Sequence, residues 1–305
     1  MQKNPPGLSD YALLATLALL WGSAFLLSKV AVAEVPPITI TLLRQLIAVV
    51  VLFGFAVASR RWFRPSPRDH VFMVICAITG TALPYTLINW GVVVIDSGLA
   101  AILMGFMPLT VLLLAHLVTH DEKLTLPKLA GVGLGIAGLA ILFWPQLAAG
   151  FGHDILRQVA VLGAAFAYGI NALSTKQLVG YPPMALMAYI TAWTMVFLAP
   201  AAFLFEAPLS IDPSLHVSLA IMALGILPSG MGALIMVTII RRQGASFFGQ
   251  INLLIPVAGI LLAIVFLGER PGLNALAALA VILSGLAVAR IKPSRKSSIA
   301  QESHS

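Results

Sequence analysis

The amino-acid sequence predicts an all-α integral membrane protein, with ten transmembrane helices arranged as two inverted five-helix repeats around a central cavity. Three observations lead to this fold: a very apolar composition, ten long apolar runs, and an internal duplication. Of the 305 residues, 60% are apolar and 10% are charged, and the mean hydropathy is +1.00. Because a soluble domain carries roughly 25% charged residues, lipid must be the solvent for most of this chain.

The ten apolar runs are separated by short loops, so neighbouring helices are expected to be antiparallel. Each run has the length of about 20 residues that a helix needs to cross a bilayer. The runs cover residues 11–33, 38–59, 70–93, 97–119, 125–146, 156–178, 184–205, 215–240, 245–267 and 272–291. The predicted domains are a first repeat over residues 8–146, a second repeat over 156–291, and a polar tail over 292–305, expected to be disordered and cytoplasmic.

The duplication is clearest in the first and sixth runs. Both runs contain an aromatic residue followed by glycine, a lysine seven residues after that glycine, and a double proline at the end. These pairs are Trp21-Gly22 and Tyr168-Gly169, Lys29 and Lys176, and Pro36-Pro37 and Pro182-Pro183. Five helices per half is an odd number, so the second half enters the membrane from the opposite side, and the repeats are inverted.

The basic residues predict the orientation. With ten spans, one side of the membrane receives most of the lysines and arginines, which places both termini in the cytoplasm of a bacterial-type inner membrane. The residues on that side are Lys3, Arg60, Arg61, Arg64, Arg68, Lys123, Lys128, Lys176, Arg241, Arg242, Arg290, Lys292, Arg295 and Lys296. Topology therefore explains the net charge of +7, and no nucleic-acid partner is expected. The single cysteine, Cys76, excludes an internal disulfide.

Several motifs resemble the EamA family of the drug/metabolite transporter superfamily. They are WGSAFLLSKVA from Trp21, the arginine of LLRQLIA from Leu42, SGLAAILMGFMPL from Ser97, and the pairs Glu122-Lys123 and Glu269-Arg270 before the last helix of each half. The resemblance covers about residues 8–291. It implies ten helices in two inverted five-helix bundles around a central cavity, and outward transport of small metabolites, often amino acids or drugs.

No catalytic or cofactor motif is present in the sequence. A GxxxxGK[ST] loop is missing, no Cys or His pair has metal-ligand spacing, and Ser23, Ser97 and Ser229 lack a GxSxG context. His116 and His120 are four residues apart and could share a metal, but no third ligand is evident near them, so we interpret them as interfacial histidines. Neither an enzymatic activity nor a cofactor is predicted.

Arg44 is the most informative charge, because it falls six or seven residues into the second apolar run. A charge at this depth is costly unless it faces protein, water or a partner. Two interpretations stay open: a cavity-facing or structural role, and snorkelling of the side chain to the outer headgroups. Glu34 is the nearest candidate counter-ion.

The third run carries Thr81, Tyr85 and Asn89 at positions i, i+4 and i+8, along one helical face. We interpret this face as a water-facing wall, although such residues also form hydrogen bonds to neighbouring helices. Gly80 and Pro84 in the same run are expected to break the helix and free backbone carbonyls.

The other candidates for the cavity lie in the first, fourth, sixth and ninth runs. Trp21 and Tyr168 are aromatic repeat mates at mid-depth, and Asn171 lies one turn after Tyr168. Asn252 shares a small face with Gly249, Pro256 and Gly259, and Met104 occupies the corresponding region of the first half. The predicted substrate-cavity residues are therefore Trp21, Arg44, Thr81, Tyr85, Asn89, Met104, Tyr168, Asn171, Gln250 and Asn252.

The fifth and tenth runs are predicted to lie outside the cavity. Gly131, Gly135 and Gly138 form one stripe on the fifth run, and Gly285 stands at the matching position of the tenth. Such stripes allow helices to approach closely, so these two helices are assigned to scaffold packing or to a homodimer contact.

Three acidic residues at the ends of the runs are given structural roles, in preference to the alternative that they carry protons. Glu122 and Glu269 are interpreted as helix-end charge pairs with the basic residue that follows each. Asp96 is interpreted as the N-terminal cap of the fourth helix.

The predicted function is a secondary transporter that moves small organic solutes by alternating access, with the lipid bilayer and a small-molecule substrate as its partners. Amino acids or related metabolites, and the outward direction, follow from the family resemblance. A passive channel for small metabolites is the first alternative. The second is a lipid-modifying membrane enzyme, which would need clustered His, Asp or Glu near an interface.

Overall fold

The computed structural model describes residues 5–60, 62–118, 125–148 and 154–291, and within these ranges all regular secondary structure is helical. Nine described helices are long and apolar enough to cross a membrane, and a tenth apolar helix has 17 residues. In chain order the helices are α1 (Leu8–Ala31), α2 (Pro37–Ala58), α3 (Pro67–Val92), α4 (Ser97–Val118), α5 (Leu126–Pro145), α6 (Asp154–Leu178), α7 (Pro183–Phe205), α8 (Leu215–Gln243), α9 (Ala245–Leu267) and α10 (Leu273–Ala289). The prediction of an all-helical, multi-pass membrane protein is confirmed. The predicted tail over residues 292–305, together with His120, Glu122 and Lys123, lies outside the described residues.

Proline defines the start of several helices. The second proline of each duplicated pair, Pro37 and Pro183, is the first residue of α2 and α7. Proline suits this position because its missing N–H would have no partner in the first turn, and its φ angle is already helical. α3 also starts at a proline, and Ser66 and Asp69 form a reciprocal capping box there.

Two helices change to π-helical geometry near their middle. The segments are Ile78–Ala82 in α3 and Gly225–Met231 in α8. The expected break at Gly80 and Pro84 does not occur, because the wider i→i+5 turn carries the helix through the glycine and proline region. These two helices stand five places apart in the order of helices along the chain.

The helices of the two halves are interleaved. α1 packs against α8 and α9, while α6 packs against α3 and α4. α2 packs against α7 and α8, and α7 packs against α2 and α3. Each of these contacts has a counterpart in which every helix is replaced by the one five places away in the chain.

The glycine stripe of α5 packs against α10 of the same chain. A Cβ atom added to Gly131 would lie 2.5 Å from the carbonyl oxygen of Gly285, and one added to Gly285 would lie 2.6 Å from the carbonyl oxygen of Gly131. Backbone therefore meets backbone, as expected for small residues at a helix contact in lipid. The sequence analysis assigns the α5 glycine stripe to scaffold packing or to a dimer contact. In the structure this stripe forms the contact between α5 and α10 within one chain.

Candidate functional site

Arg44 lies inside the helical bundle, with only 4% of its surface exposed. Its guanidinium carbon lies 3.9 Å from the centroid of the Tyr85 ring, and its Nε and Nη2 donate to Ser229 Oγ at 3.2 and 2.9 Å. The side chain therefore points between helices α2, α3 and α8, and the snorkelling interpretation is wrong. Glu34 is not its counter-ion, because the Glu34 carboxylate accepts hydrogen bonds from Ser214 at the start of α8.

Ser229 is a partner of Arg44 that the sequence analysis missed, because there it is considered only as a nucleophile. It lies in the π-helical segment of α8, and its hydroxyl donates to the Leu224 carbonyl oxygen at 2.9 Å. Both lone pairs of the hydroxyl are thereby left to accept from Arg44. A small polar residue between Pro228 and Gly230 in the middle of an apolar run was the available signal.

Trp21 joins the same region from α1. Its indole N–H donates to the carbonyl oxygen of Pro228 at 3.1 Å, directly before Ser229 in the chain. The ring also meets Phe248 of α9 edge to face, with centroids 5.9 Å apart. Trp21 thus connects the first half to the π-helical segment of the second half.

Tyr168 approaches Tyr85 from α6, with the two ring centroids 6.5 Å apart. Four predicted cavity residues are therefore brought together around Ser229. We call the group of Trp21, Arg44, Tyr85, Tyr168 and Ser229 the Arg44 cluster. Its members come from α1, α2, α3, α6 and α8, which belong to both halves of the chain.

Asn89 lies apart from this cluster and is fully buried between α3 and α2. Its amide nitrogen donates to the Pro37 carbonyl oxygen at 3.3 Å and to Thr41 Oγ1 at 3.0 Å. The interhelical hydrogen bond, given above as the alternative to a water-facing wall, describes Asn89 in this conformation. Thr81 lies within the π-helical turn, whose i→i+5 bonding changes the register on which the shared face was predicted.

The remaining candidates are distributed around the bundle. Met104 is buried in the large hydrophobic core formed mainly by α4, α5, α6 and α10. Asn171 packs against Gly80, where an added Cβ would lie 2.6 Å from the Asn171 side-chain oxygen. Gln250 and Asn252 are half-buried near the start of α9, and the Asn252 amide donates to the Gly249 carbonyl oxygen at 3.2 Å.

One end of the bundle, which we call the carboxylate face, carries Glu34, Glu206 and Glu269. Each carboxylate accepts hydrogen bonds from the N-terminal turn of a helix in the other half, at α8, α2 and α4 respectively. Glu34 accepts from Ser214 N at 2.6 Å and from Ser214 Oγ at 2.9 Å. Glu206 accepts from Ile38 N at 3.0 Å and from Thr39 N at 2.7 Å. Glu269 accepts from Ser97 N at 2.8 Å, from Ser97 Oγ at 2.7 Å and from Gly98 N at 2.8 Å. A negative charge at a helix N-terminus is favourable, so these contacts hold the halves together.

This arrangement corrects the roles expected for Asp96 and Glu269. Asp96 occupies the N-cap position of α4 but makes no capping hydrogen bond through its side chain. Glu269 accepts the free N–H groups of α4 instead, so its partner is a helix terminus of the other half. Burial raises the pKa of Asp96, the nearby charge of Glu269 raises it further, and Lys29 acts in the opposite direction.

Hydrogen bonds also connect the halves at the opposite end of the bundle. We call this end the basic face, because it carries Arg68, Arg241 and Arg242. The Asp10 carboxylate accepts from Gln243 Nε2 at 2.8 Å and lies 3.8 Å from Arg242 Nη1. Tyr181 donates its hydroxyl to Asp69 at 2.7 Å, and Trp193 donates to His70 Nδ1 at 3.1 Å. The two halves are therefore hydrogen-bonded at both ends of the bundle in this conformation.

The sequence profile of the EamA-like transporter family matches residues 8–144 and 157–291, which together make up most of the chain. This chain belongs to the EamA-like transporter family. The resemblance indicated by the duplicated motifs is confirmed, and the protein is a multi-pass membrane protein of a transporter family.

Individual relatives of this EamA-like transporter cover nearly its whole length. The chain is 28% identical over 277 residues to a probable terminal-alkyne amino-acid exporter of Streptantibioticus cattleyicolor, covering 90% of this chain and 91% of the relative. It is 26% identical over 273 residues to an S-adenosylmethionine/S-adenosylhomocysteine transporter of Chlamydia trachomatis, covering 84% and 82%. A solved crystal structure matches with a TM-score of 0.66 at 24% identity, over 92% of this chain and 97% of that chain, and this likeness concerns the fold alone.

Two cavities of this EamA-like transporter lie away from the Arg44 cluster. One, of about 150 Å³, is lined by Asp96, Glu269 and Asn274 at the carboxylate face. The other, of about 350 Å³, lies along α1, α8 and α9 and is lined by Leu27, His216 and Phe266. No residue of the Arg44 cluster lines either cavity, and the side chains of the cluster pack against one another. Neither cavity is therefore the central cavity that the sequence predicts. Among the described residues, no group of three or more His, Cys, Asp or Glu could hold a metal ion.

Proposed function

We propose that this EamA-like transporter exports small organic solutes of the amino-acid class across a bacterial-type inner membrane, by alternating access between two inverted halves. In this proposal both termini lie in the cytoplasm, so the carboxylate face is external and the basic face is cytoplasmic. The distribution of lysine and arginine along the sequence supports this orientation.

The observation that carries the proposal is the Arg44 cluster. It gathers a buried guanidinium, two tyrosines, a tryptophan and a serine from five helices of both halves. Transporters of inverted-repeat architecture bind substrate near the membrane midplane, where the repeats meet and helices are irregular. The π-helical segment of α8 supplies Ser229 at this position, which supports the assignment of the cluster to the substrate.

The arrangement of helix contacts supports inverted repeats. Exchanging every helix for the one five places away converts the α1–α8 contact into α6–α3, and the α1–α9 contact into α6–α4. The family profile also matches the chain twice, once in each proposed repeat. A pseudo-twofold axis in the membrane plane would produce both features.

Alternating access is supported by the hydrogen bonds at the two ends of the bundle. The three carboxylates close one end, while Asp10 and Asp69 bind the other half at the opposite end. Releasing one set while keeping the other would open the cluster to one side of the membrane. A passive channel would need both sets to open together.

The test begins with metabolite profiling of cells that express the chain and of matched cells that do not. Amino acids or related metabolites should accumulate outside the expressing cells. Reconstituted vesicles then separate the mechanisms, because unlabelled substrate on one side should accelerate exchange of labelled substrate from the other. Exchange without this acceleration would favour a channel, and unchanged external metabolites would contradict export.

A further inference from the structure

We infer that Arg44 binds the carboxylate of the transported solute through the edge of the guanidinium that faces away from Ser229. The inference rests on the proposed transport function and adds to it the chemical group by which the substrate is recognised. Three features of the structure carry it: the burial of an unpaired charge, the fixed orientation of the guanidinium, and the charge of the cluster.

The buried charge of Arg44 has no acidic partner among the described residues. Among the residues that the structure describes, no carboxylate oxygen lies within 4.0 Å of its guanidinium. The nearby candidate Glu34 is engaged with Ser214, and Glu206 is engaged with the first turn of α2. An arginine in a protein cannot give up its proton, so the positive charge persists inside the bundle. Anion binding would offset the cost of holding this charge away from water.

The guanidinium is held in one orientation. Tyr85 covers one face, and Ser229 accepts from Nε and Nη2 along one edge. Ser229 is itself fixed by its hydrogen bond to the Leu224 carbonyl oxygen. Of the five N–H groups of the guanidinium, the two on Nη1 and one on Nη2 find no acceptor among the described residues. Two parallel N–H groups on Nη1 and Nη2 match the two oxygens of a carboxylate.

The charge of the cluster favours a carboxylate over a phosphate. Arg44 is the only basic residue among Trp21, Arg44, Tyr85, Tyr168 and Ser229. A carboxylate carries one negative charge and neutralises one guanidinium, whereas a phosphate dianion would leave a negative charge buried among aromatic rings. Because the donors are already oriented, binding requires little further ordering of the protein.

The first experiment varies the ligand and leaves the protein unchanged. Thermal stability of the purified full-length protein in detergent is measured with L-amino acids, with their amides, and with the corresponding aminophosphonic acids. The acids should stabilise the protein at concentrations about tenfold or more below those at which the amides do, because charge-assisted bidentate bonds are strong. Equal stabilisation by acids and amides would overturn the inference. Tighter binding of the phosphonates would overturn the choice of a carboxylate.

The second experiment varies the arginine. Arg44→Gln and Arg44→Lys should both abolish the preference for acids, since neither retains the fork of Nη1 and Nη2 donors. Arg157→Gln is the matched control, because Arg157 also stacks on an aromatic ring, with its guanidinium carbon 3.7 Å from the centroid of Trp90, but lies at the start of α6. It should keep the preference for acids. If an Arg44→Gln protein that elutes as one species still prefers acids, Arg44 is not the carboxylate site.

Transport assays on the same proteins separate this inference from the proposed function. If acids bind through Arg44 but wild-type protein does not move them across vesicles, the inference about Arg44 holds and export is contradicted. If wild type and Arg44→Gln move acids and amides at equal rates, transport is supported and the role of Arg44 is overturned.

Discussion

The Glu269 carboxylate accepts a hydrogen bond of 2.7 Å from the Ser97 hydroxyl, across 172 residues of chain. The same carboxylate accepts from the backbone N–H groups of Ser97 and Gly98, both at 2.8 Å. A residue of the second half therefore supplies the N-terminal cap that Asp96, the residue in the capping position, does not provide. The carboxylate face contains three contacts of this kind, and each can be removed separately.

Replacing Glu269 by alanine should lower the stability of the protein by about 1–2 kcal/mol, because two backbone N–H groups lose a charged acceptor. Ser97→Ala should cost less, since it keeps both backbone bonds. Thermal unfolding in detergent measures both variants. Arg270→Ala is the control, as Arg270 is the exposed neighbour with which a helix-end pair had been expected. If it destabilises the protein as much as Glu269→Ala, the charge pair is the relevant contact after all.

The α5–α10 contact should tolerate no side chain at its centre. Gly131→Ala or Gly285→Ala would place a Cβ atom about 2.5 Å from a carbonyl oxygen of the facing helix, a backbone atom that cannot turn aside. Overpacking of this kind costs about 1–3 kcal/mol, and a lower unfolding temperature should report it. Gly133→Ala is the matched control on the same helix, because an added Cβ there meets nothing within 4 Å. Equal losses at Gly131 and Gly133 would argue against the contact.

Asp96 should make the stability of the protein depend on pH. Its pKa is raised above the ordinary aspartate value by burial and by the charge of Glu269, so the folded protein binds this proton more tightly than the unfolded chain does. Ionised Asp96 therefore destabilises the fold at neutral pH, and this penalty disappears as the pH falls through the raised pKa. Asp96→Asn should unfold at a higher temperature than wild type at neutral pH.

The advantage of Asp96→Asn should shrink toward zero in acid. Asp212→Asn serves as the control, since Asp212 is exposed in the loop before α8. A constant advantage of Asp96→Asn over the whole acidic range would mean that protonation is not its source.

Tyr85 and Asn89, which the sequence places on one face, should respond differently to substitution. Tyr85→Ala removes the ring over Arg44 and should reduce transport while the protein remains abundant in the membrane. Asn89→Ala removes two hydrogen bonds that join α3 to α2, so its main effect should be lower stability, by about 1–3 kcal/mol. Transport rates normalised to membrane abundance distinguish the two effects. Normal transport by Tyr85→Ala would remove Tyr85 from the candidate site.

The proposed orientation predicts the location of reporter fusions. Fusions after Arg68, Arg242 and Ser305 should report the cytoplasm, and fusions near Asp96 and Asp212 should report the outside, because the basic residues concentrate on one side. A cytoplasmic signal at Asp212 would contradict the arrangement of ten spans.

The sequence by itself determined the class of the protein and the positions of its helices. Lipid requires long apolar segments, so hydropathy marks them without any knowledge of the neighbours. Proline marked the starts of α2 and α7 because its effect on the backbone is local. The duplicated Trp21-Gly22 and Tyr168-Gly169 pairs led to the family, and the depth of Arg44 in its run pointed to the site.

Only the tertiary structure decided which groups meet. Ser229 lies 185 residues from Arg44 and becomes its partner through the packing of α8 on α2, and through a π-helical turn that no periodicity in the sequence predicts. The packing of the helices also decides that Asn89 donates to Thr41 of α2 and that Glu269 accepts from Ser97 of α4. A polar side chain inside a membrane must find a partner, but the choice among partners depends on which helices are neighbours, and that is set by the whole bundle.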